Sequence, residues 1–216
     1  MKKLLQISLA LTALAGASTM ALAQDVAAGQ KKVAMCIGCH GIPGYQSSFP
    51  EVHRVPMISG QNAKYIVASL QAYKKGDRKH PTMRGIAASL TDQDMADIGA
   101  YYEADGARAS VKSVAAREPS PEVAALLTKG ACASCHGADY NQPIDPSYPK
   151  IAGQHKDYLF SALKSYKVEN NPVIGRNNAI MGAQVRQFSN AELKAMAEYI
   201  GSLPGELYTV PQSRLR

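Results

Sequence analysis

Two five-residue runs hold every cysteine of this chain: Cys36-Ile37-Gly38-Cys39-His40 and Cys132-Ala133-Ser134-Cys135-His136. Thiols three positions apart lie on one face of a short helix. Both sulfurs can then reach the two vinyl groups of one porphyrin and form thioethers. The histidine after the second cysteine falls under the iron. C-x-x-C-H is therefore the attachment signature of a c-type haem. No thiol remains for a disulfide or a nucleophile. A zinc site would need more ligands at metal-site spacing, and the next histidine after His40 is the distant His53. A redox C-x-x-C needs no following histidine, and neither run sits in a βαβ pattern. The expectation is two covalently bound haem c groups. Cys36 and Cys39 hold one, Cys132 and Cys135 the other, with His40 and His136 as proximal ligands.

The elements that must position these groups occur twice. The haem motifs repeat at an offset of 96, and Pro56-Met57-Ile58-Ser59-Gly60-Gln61 recurs at an offset of 93 as Pro149-Lys150-Ile151-Ala152-Gly153-Gln154. Tyr65 and Tyr73 fall on Tyr158 and Tyr166, and the segment that begins at Thr91 matches the one that begins at Ser189 at an offset of 98. Such a period means tandem domains rather than a solenoid. Each half reads as haem motif, loop, helix, loop, helix. Residues 62–75 are apolar at Ile66, Leu70 and Tyr73 and are followed by Gly76, a helix with its stop signal. Ser189 to Glu192 is a capping box, and Thr91 to Asp94 a weaker one. No strand pattern is convincing. The reading is all-α: residues 24–104 as a first domain, 105–121 as a Pro/Ser/Gly-containing linker and 122–216 as a second domain. Each half is small, so a buried porphyrin would supply much of its core.

The sixth iron ligand decides between carrier and catalyst, and the repeat tests for it. Met57, Met95, Met196 and Met35 fall on Lys150, Leu193, Ile98 and Ala131. They read as packing or loop residues. Met83 alone recurs as methionine, at Met181, each eight residues before its capping residue. Met83 is assigned to the haem of His40 and Met181 to that of His136. His53, His80 and His155 do not recur as histidine, although His80, three residues before Met83, stays open as a rival ligand. Histidine–methionine ligation favours reduced iron and raises the potential. With both axial positions filled, peroxidase-type chemistry is not expected, and no catalytic residue is assigned.

Lys2 and Lys3, an apolar stretch from Leu4 to Ala15 and the small-x-small Ala21-Leu22-Ala23 read as a signal peptide over residues 1–23, cleaved after Ala23. The apolar run is short for a bilayer span, which implies a periplasmic protein. The formal charge of +7 drops to +5 without Lys2 and Lys3. Haem propionates would bring it near neutral, so the basic balance does not point to nucleic acid. Lys74, Lys75, Arg78, Lys79 and Arg84 read as a basic rim that could steer an acidic partner.

The mature chain resembles the dihaem class I cytochromes of the cytochrome c4 family. The likeness rests on the paired C-x-x-C-H-G segments, Gly60-Gln61 with Gly153-Gln154, Tyr65-Ile66 with Tyr158-Leu159, residues 83–87 from Met83 to Ala87, and residues 97–102 from Asp97 to Tyr102. It implies two small class I cytochrome c domains about a pseudo-twofold axis, haem edges close together. It also implies an electron carrier between a quinol-oxidising complex, or a periplasmic donor, and a terminal oxidase. Peripheral membrane association is compatible with that role. The alternative is the cytochrome electron-transfer subunit of a periplasmic dehydrogenase acting on a sulfur compound or an alcohol.

Overall fold

The structure, a computed structural model, describes residues 24–108 and 117–211. The expected signal peptide and the centre of the expected linker lie outside them. Five helices in the first half recur in the second. They are α1 (Val26–Lys32), α2 (Ala34–His40), α3 (Ala63–Lys75), α4 (Pro81–Ala88) and α5 (Asp92–Asp105). Their counterparts are α6 (Pro121–Lys129), α7 (Cys132–His136), α8 (Lys156–Ser165), α9 (Ala179–Arg186) and α10 (Asn190–Ser202). The expected tandem all-α architecture is present, with two helices per half that the periodicity did not display. One precedes each haem motif (α1, α6), and one carries each repeated methionine (α4, α9).

Local chemistry sets the helix ends. Asp25 and Ser120 cap α1 and α6 through their side-chain oxygens. Thr91 and Ser189 both form complete capping boxes, with Asp94 and Glu192 returning the bond. Gly76, at φ +91°, closes α3 in the left-handed region.

Each half buries its own core. In the first, Val33, Ile66, Leu70, Met95, Ile98 and Tyr101 pack where α3 and α1 meet α5. In the second, Leu127, Leu159, Phe188, Leu193, Met196 and Ile200 pack where α8 and α6 meet α10. The unmatched Met95 and Met196 are thus packing residues, as read. Burying a side chain of this size contributes about 1.5–3 kcal/mol, so each half has its own apolar reason to fold.

The seam between the halves is polar. Two-residue strands, too short to show a period, make two antiparallel ladders. β1 (Gln46–Ser47) pairs with β2 (His53–Arg54), and β3 (Arg78–Lys79) pairs across the seam with β4 (Gly175–Arg176). The β1–β2 hairpin lies where the repeat offset drops from 96 to 93, so the first half is locally longer there. Its residues reach α8: Arg54 Nε donates to both carboxylate oxygens of Asp157 (3.1 and 3.0 Å), and Lys164 pairs with Glu51.

Residues 203–208 return across the seam. The Tyr208 N–H donates to the Ser59 carbonyl (2.9 Å), while Lys150 Nζ pairs with Glu206 within the second half (2.6 Å). This tail requires glycine in both repeated Gly-Gln pairs. Gly60 has φ +86°, and a Cβ there would lie 2.1 Å from the Glu206 carbonyl oxygen; Gly153 has φ +70°, with 3.0 Å to that of Leu203. Asp105 and Gly106, at the start of the expected linker, are packed in place. Asp105 is buried and accepts from Ser59 Oγ at 2.8 Å, and Gly106 abuts Gly60.

Candidate haem-binding sites

In each half, α2 or α7 carries both motif cysteines and ends on the motif histidine. The two sites are lined alike. Cys36, Ile58, Tyr73 and Met83 pack against the first core, and Cys132, Ile151, Tyr166 and Met181 against the second. Each matches its counterpart in the repeat.

The histidines are oriented by the backbone. Nδ1 of His40 lies 2.9 Å from the Pro56 carbonyl oxygen, and Nδ1 of His136 lies 3.0 Å from that of Pro149. A carbonyl only accepts, so Nδ1 carries the proton and Nε2 keeps its lone pair for a metal. Burial holds both imidazoles below their usual pKa, the proline carbonyls opposing it, and His80 adds to the depression at His40. Both features favour the neutral, ligating form.

The methionines are held in register. Met83 and Met181 each occupy the third position of their helix, and their N–H groups donate to the capping side chains, His80 Nδ1 (3.5 Å) and Asn178 Oδ1 (2.9 Å). This is why His80 aligns with Asn178. The other ring nitrogen of His80 meets Ser47 Oγ at 3.3 Å, so both are engaged, and the residue acts as a cap. His53 is buried against the Glu51 carbonyl (2.8 Å), near the Tyr158 ring.

Sequence reasoning missed an arginine pair in the seam. Arg78 and Arg176 are paired positions of the β3–β4 ladder. Arg78 donates to Ser69 Oγ (2.6 Å), to the hydroxyl of Tyr65 (3.3 Å) and to that of Tyr158 (3.1 Å); Arg176 donates to the same Tyr158 hydroxyl (3.1 Å). They lie over the rings of Tyr73 and Tyr166 respectively. Burial alone would raise the Tyr158 phenol, but the Arg176 and Arg78 charges bring it down to about 8. Among the described residues no carboxylate bonds either guanidinium, and Arg78 Nε is buried with no hydrogen-bond partner. Two enclosed cations without a counter-ion are costly. Haem brings carboxylates on its propionate arms, so this orphaned donor and unneutralised pair fit that group. The signal was available: Arg176 repeats Arg78 at the offset of 98 that pairs the methionines.

The expected basic rim forms only in part. Arg78 is in the seam, Lys79 donates across it to the Asn171 carbonyl, Lys75 pairs with Asp77 at 3.6 Å, and Lys74 donates to the Leu90 carbonyl. Lys74, Lys75 and Arg84 stand exposed.

Comparison with known proteins agrees with this geometry. The cytochrome c family model matches residues 26–103 and 122–204. Cytochrome c4 of Pseudomonas aeruginosa is 33% identical over 209 residues, covering 92% of this chain and 96% of its own. The thiosulfate dehydrogenase electron acceptor of Stutzerimonas stutzeri is 30% identical over 179 residues, covering 78% of each. The crystal structure of reduced recombinant cytochrome c4 from Pseudomonas stutzeri superposes with a TM-score of 0.63 at 29% identity, covering 84% of this chain and all of that one. The chain belongs to the cytochrome c family, and within it to the dihaem cytochromes c4. It is an electron carrier with two covalently bound haem c groups and redox-protein partners. No helix among the described residues is long and apolar enough to cross a membrane.

Proposed function

We propose that this protein works in the periplasm, after removal of residues 1–23, taking single electrons from a quinol-oxidising complex or a periplasmic donor and passing them to a terminal oxidase. In this reading Cys36 and Cys39 anchor the first haem and Cys132 and Cys135 the second. His40 with Met83 and His136 with Met181 are the axial ligands. Residues 24–104 and 122–216 form the two domains, joined through 105–121. Bound haem supplies one-electron iron chemistry. The chain fixes the imidazole tautomer, presents a thioether sulfur, places cations in the seam and excludes water.

One observation carries the reading. The histidine of each motif is oriented by a proline carbonyl, and the methionine that recurs in both halves packs against the same core as the motif's first cysteine. Two protein ligands per iron leave no position for a substrate, which favours transfer over catalysis.

An optical redox titration of the holoprotein, following the near-infrared sulfur-to-iron band, tests it. Met83→Leu and Met181→Leu should each remove about half of that band, one of two equal sites. A band that survives either change intact sinks that ligand assignment.

A second reading, electron acceptor for a periplasmic sulfur-compound dehydrogenase, is favoured by the likeness to the thiosulfate dehydrogenase electron acceptor. Rapid reduction by thiosulfate with its dehydrogenase, and none by a quinol-oxidising complex, would select it over the first.

A further inference from the structure

The two sites differ beside the first cysteine of each motif. Tyr102, on α5, is 3% exposed, and its hydroxyl is buried with no hydrogen-bond partner. It packs in the cluster that Cys36 lines, edge-to-face on Tyr101. The Cys36 sulfur packs against the same cluster, close enough to the hydroxyl for each to perturb the other. Burial first, then that thiol, push the phenol far above its usual pKa, and burial raises Cys36 itself to about 11. In the second half Ile200 takes the place of Tyr102 at the offset of 98, buried beside the site of Cys132. The surroundings follow suit: Ser59 and Asp105 of the first half correspond to Ala152 and Leu203.

Attachment of haem changes what the sulfur can do. A thiol can donate, whereas a thioether sulfur only accepts. A buried O–H beside it is then the only donor of the pair, so a bond between them can run only from hydroxyl to sulfur. We propose that Tyr102 is a positioning residue of the first site, its hydroxyl donating to the thioether sulfur of Cys36 and so distinguishing the first haem from the second. Donation to a sulfur on the porphyrin edge withdraws electron density and favours reduced iron, one of the hydrogen-bond levers on haem potential. The inference rests on Cys36 being a thioether cysteine, as proposed above.

The test is Tyr102→Phe in the holoprotein, which keeps the ring and removes the donor. Expected are a downward shift in the midpoint potential of the haem ligated by His40 and a shift of its thioether resonances in the proton NMR spectrum. Those of the other haem should hold still. Unchanged resonances and potentials, or equal shifts at both haems, would overturn the proposal. Fluorotyrosine at position 102 keeps every contact and sharpens the donor, so it should move the same potential upward. It decides the matter if Tyr102→Phe does not accumulate. Haem counting by mass separates the two levels: a chain with no haem on Cys36 refutes the anchoring assignment, whereas two haems with no response to either change refute only the role of Tyr102.

Discussion

Gln61 and Gln154 clasp the two domains by the same pair of bonds, each into the other's backbone. Gln61 Nε2 donates to the Lys150 carbonyl and its Oε1 accepts from the Lys150 N–H, both at 3.0 Å. Gln154 Nε2 donates to the Met57 carbonyl (2.8 Å) and its Oε1 accepts from the Met57 N–H (3.0 Å). Met57 and Lys150 are equivalent positions of the repeat, so the exchange is a local twofold made of amides. Each Oε1 also accepts from the next N–H of its own half, Asn62 or His155, which fixes the side chain before it crosses.

Replacing either glutamine by leucine should destabilise the docked holoprotein by about 1–3 kcal/mol, because backbone groups in the seam lose their partners. The double variant should cost less than the sum, since opening one clasp already loosens its neighbour. Urea unfolding of all four proteins closes the cycle, and strict additivity would contradict a shared seam.

Gly60→Ala should be the more damaging of the two glycine changes. Left-handed strain costs of order 1–3 kcal/mol at either position. At Gly60 the new carbon also meets the Glu206 carbonyl at 2.1 Å, against 3.0 Å to that of Leu203 at Gly153. Thermal unfolding should rank Gly60→Ala below Gly153→Ala.

Acid should weaken the first domain before the second. Lys32 bonds Asp97 (2.8 Å) and Asp94 (2.7 Å), holding both carboxyls below their usual pKa. A carboxyl lowered in the folded state stabilises above its unfolded value, about 3.9, and that contribution is lost as pH falls through the lower folded value. Ala195 occupies the place of Asp97 in the second half. Hydrogen exchange at pH 6 and pH 3 should show α5 losing protection before α10, and Lys32→Met should remove the difference.

Arg78→Gln and Arg176→Gln should each lower the haem midpoint potentials, because a cation beside the porphyrin carboxylates favours the reduced state. The effect should persist at high salt, since enclosed charges are screened weakly. Titrations at low and high ionic strength check this; a shift that vanishes with salt would place the arginines at the surface.

The sequence showed what is local and what is repeated. Cys36 to His40 declares its chemistry by spacing alone, and the recurrence of Met83 at Met181 picks one methionine pair from many. Helices α4 and α9 were read as loops because their apolar faces are short, although Pro81 after His80 is a start signal at the first helical position. Arg78 and Lys79 were read as part of a basic rim because charge says nothing about the opposite domain. Their partners, Tyr158 and the Asn171 carbonyl, lie in the other half. The Gly-Gln pairs were visible as a repeat, but their purpose is an exchange between halves that no window along one chain displays.

The bond from Tyr208 to Ser59 ties nearly the last described stretch of the polypeptide to its first half. Synthesis delivers a chain amino end first, and domains tend to fold in that order. The leading half therefore emerges with Ser59 and Gly60 uncovered, and stays so until the trailing residues arrive. Assembly thus has a built-in order, in which the cap over the first domain closes only after the second domain's Tyr208 segment has arrived.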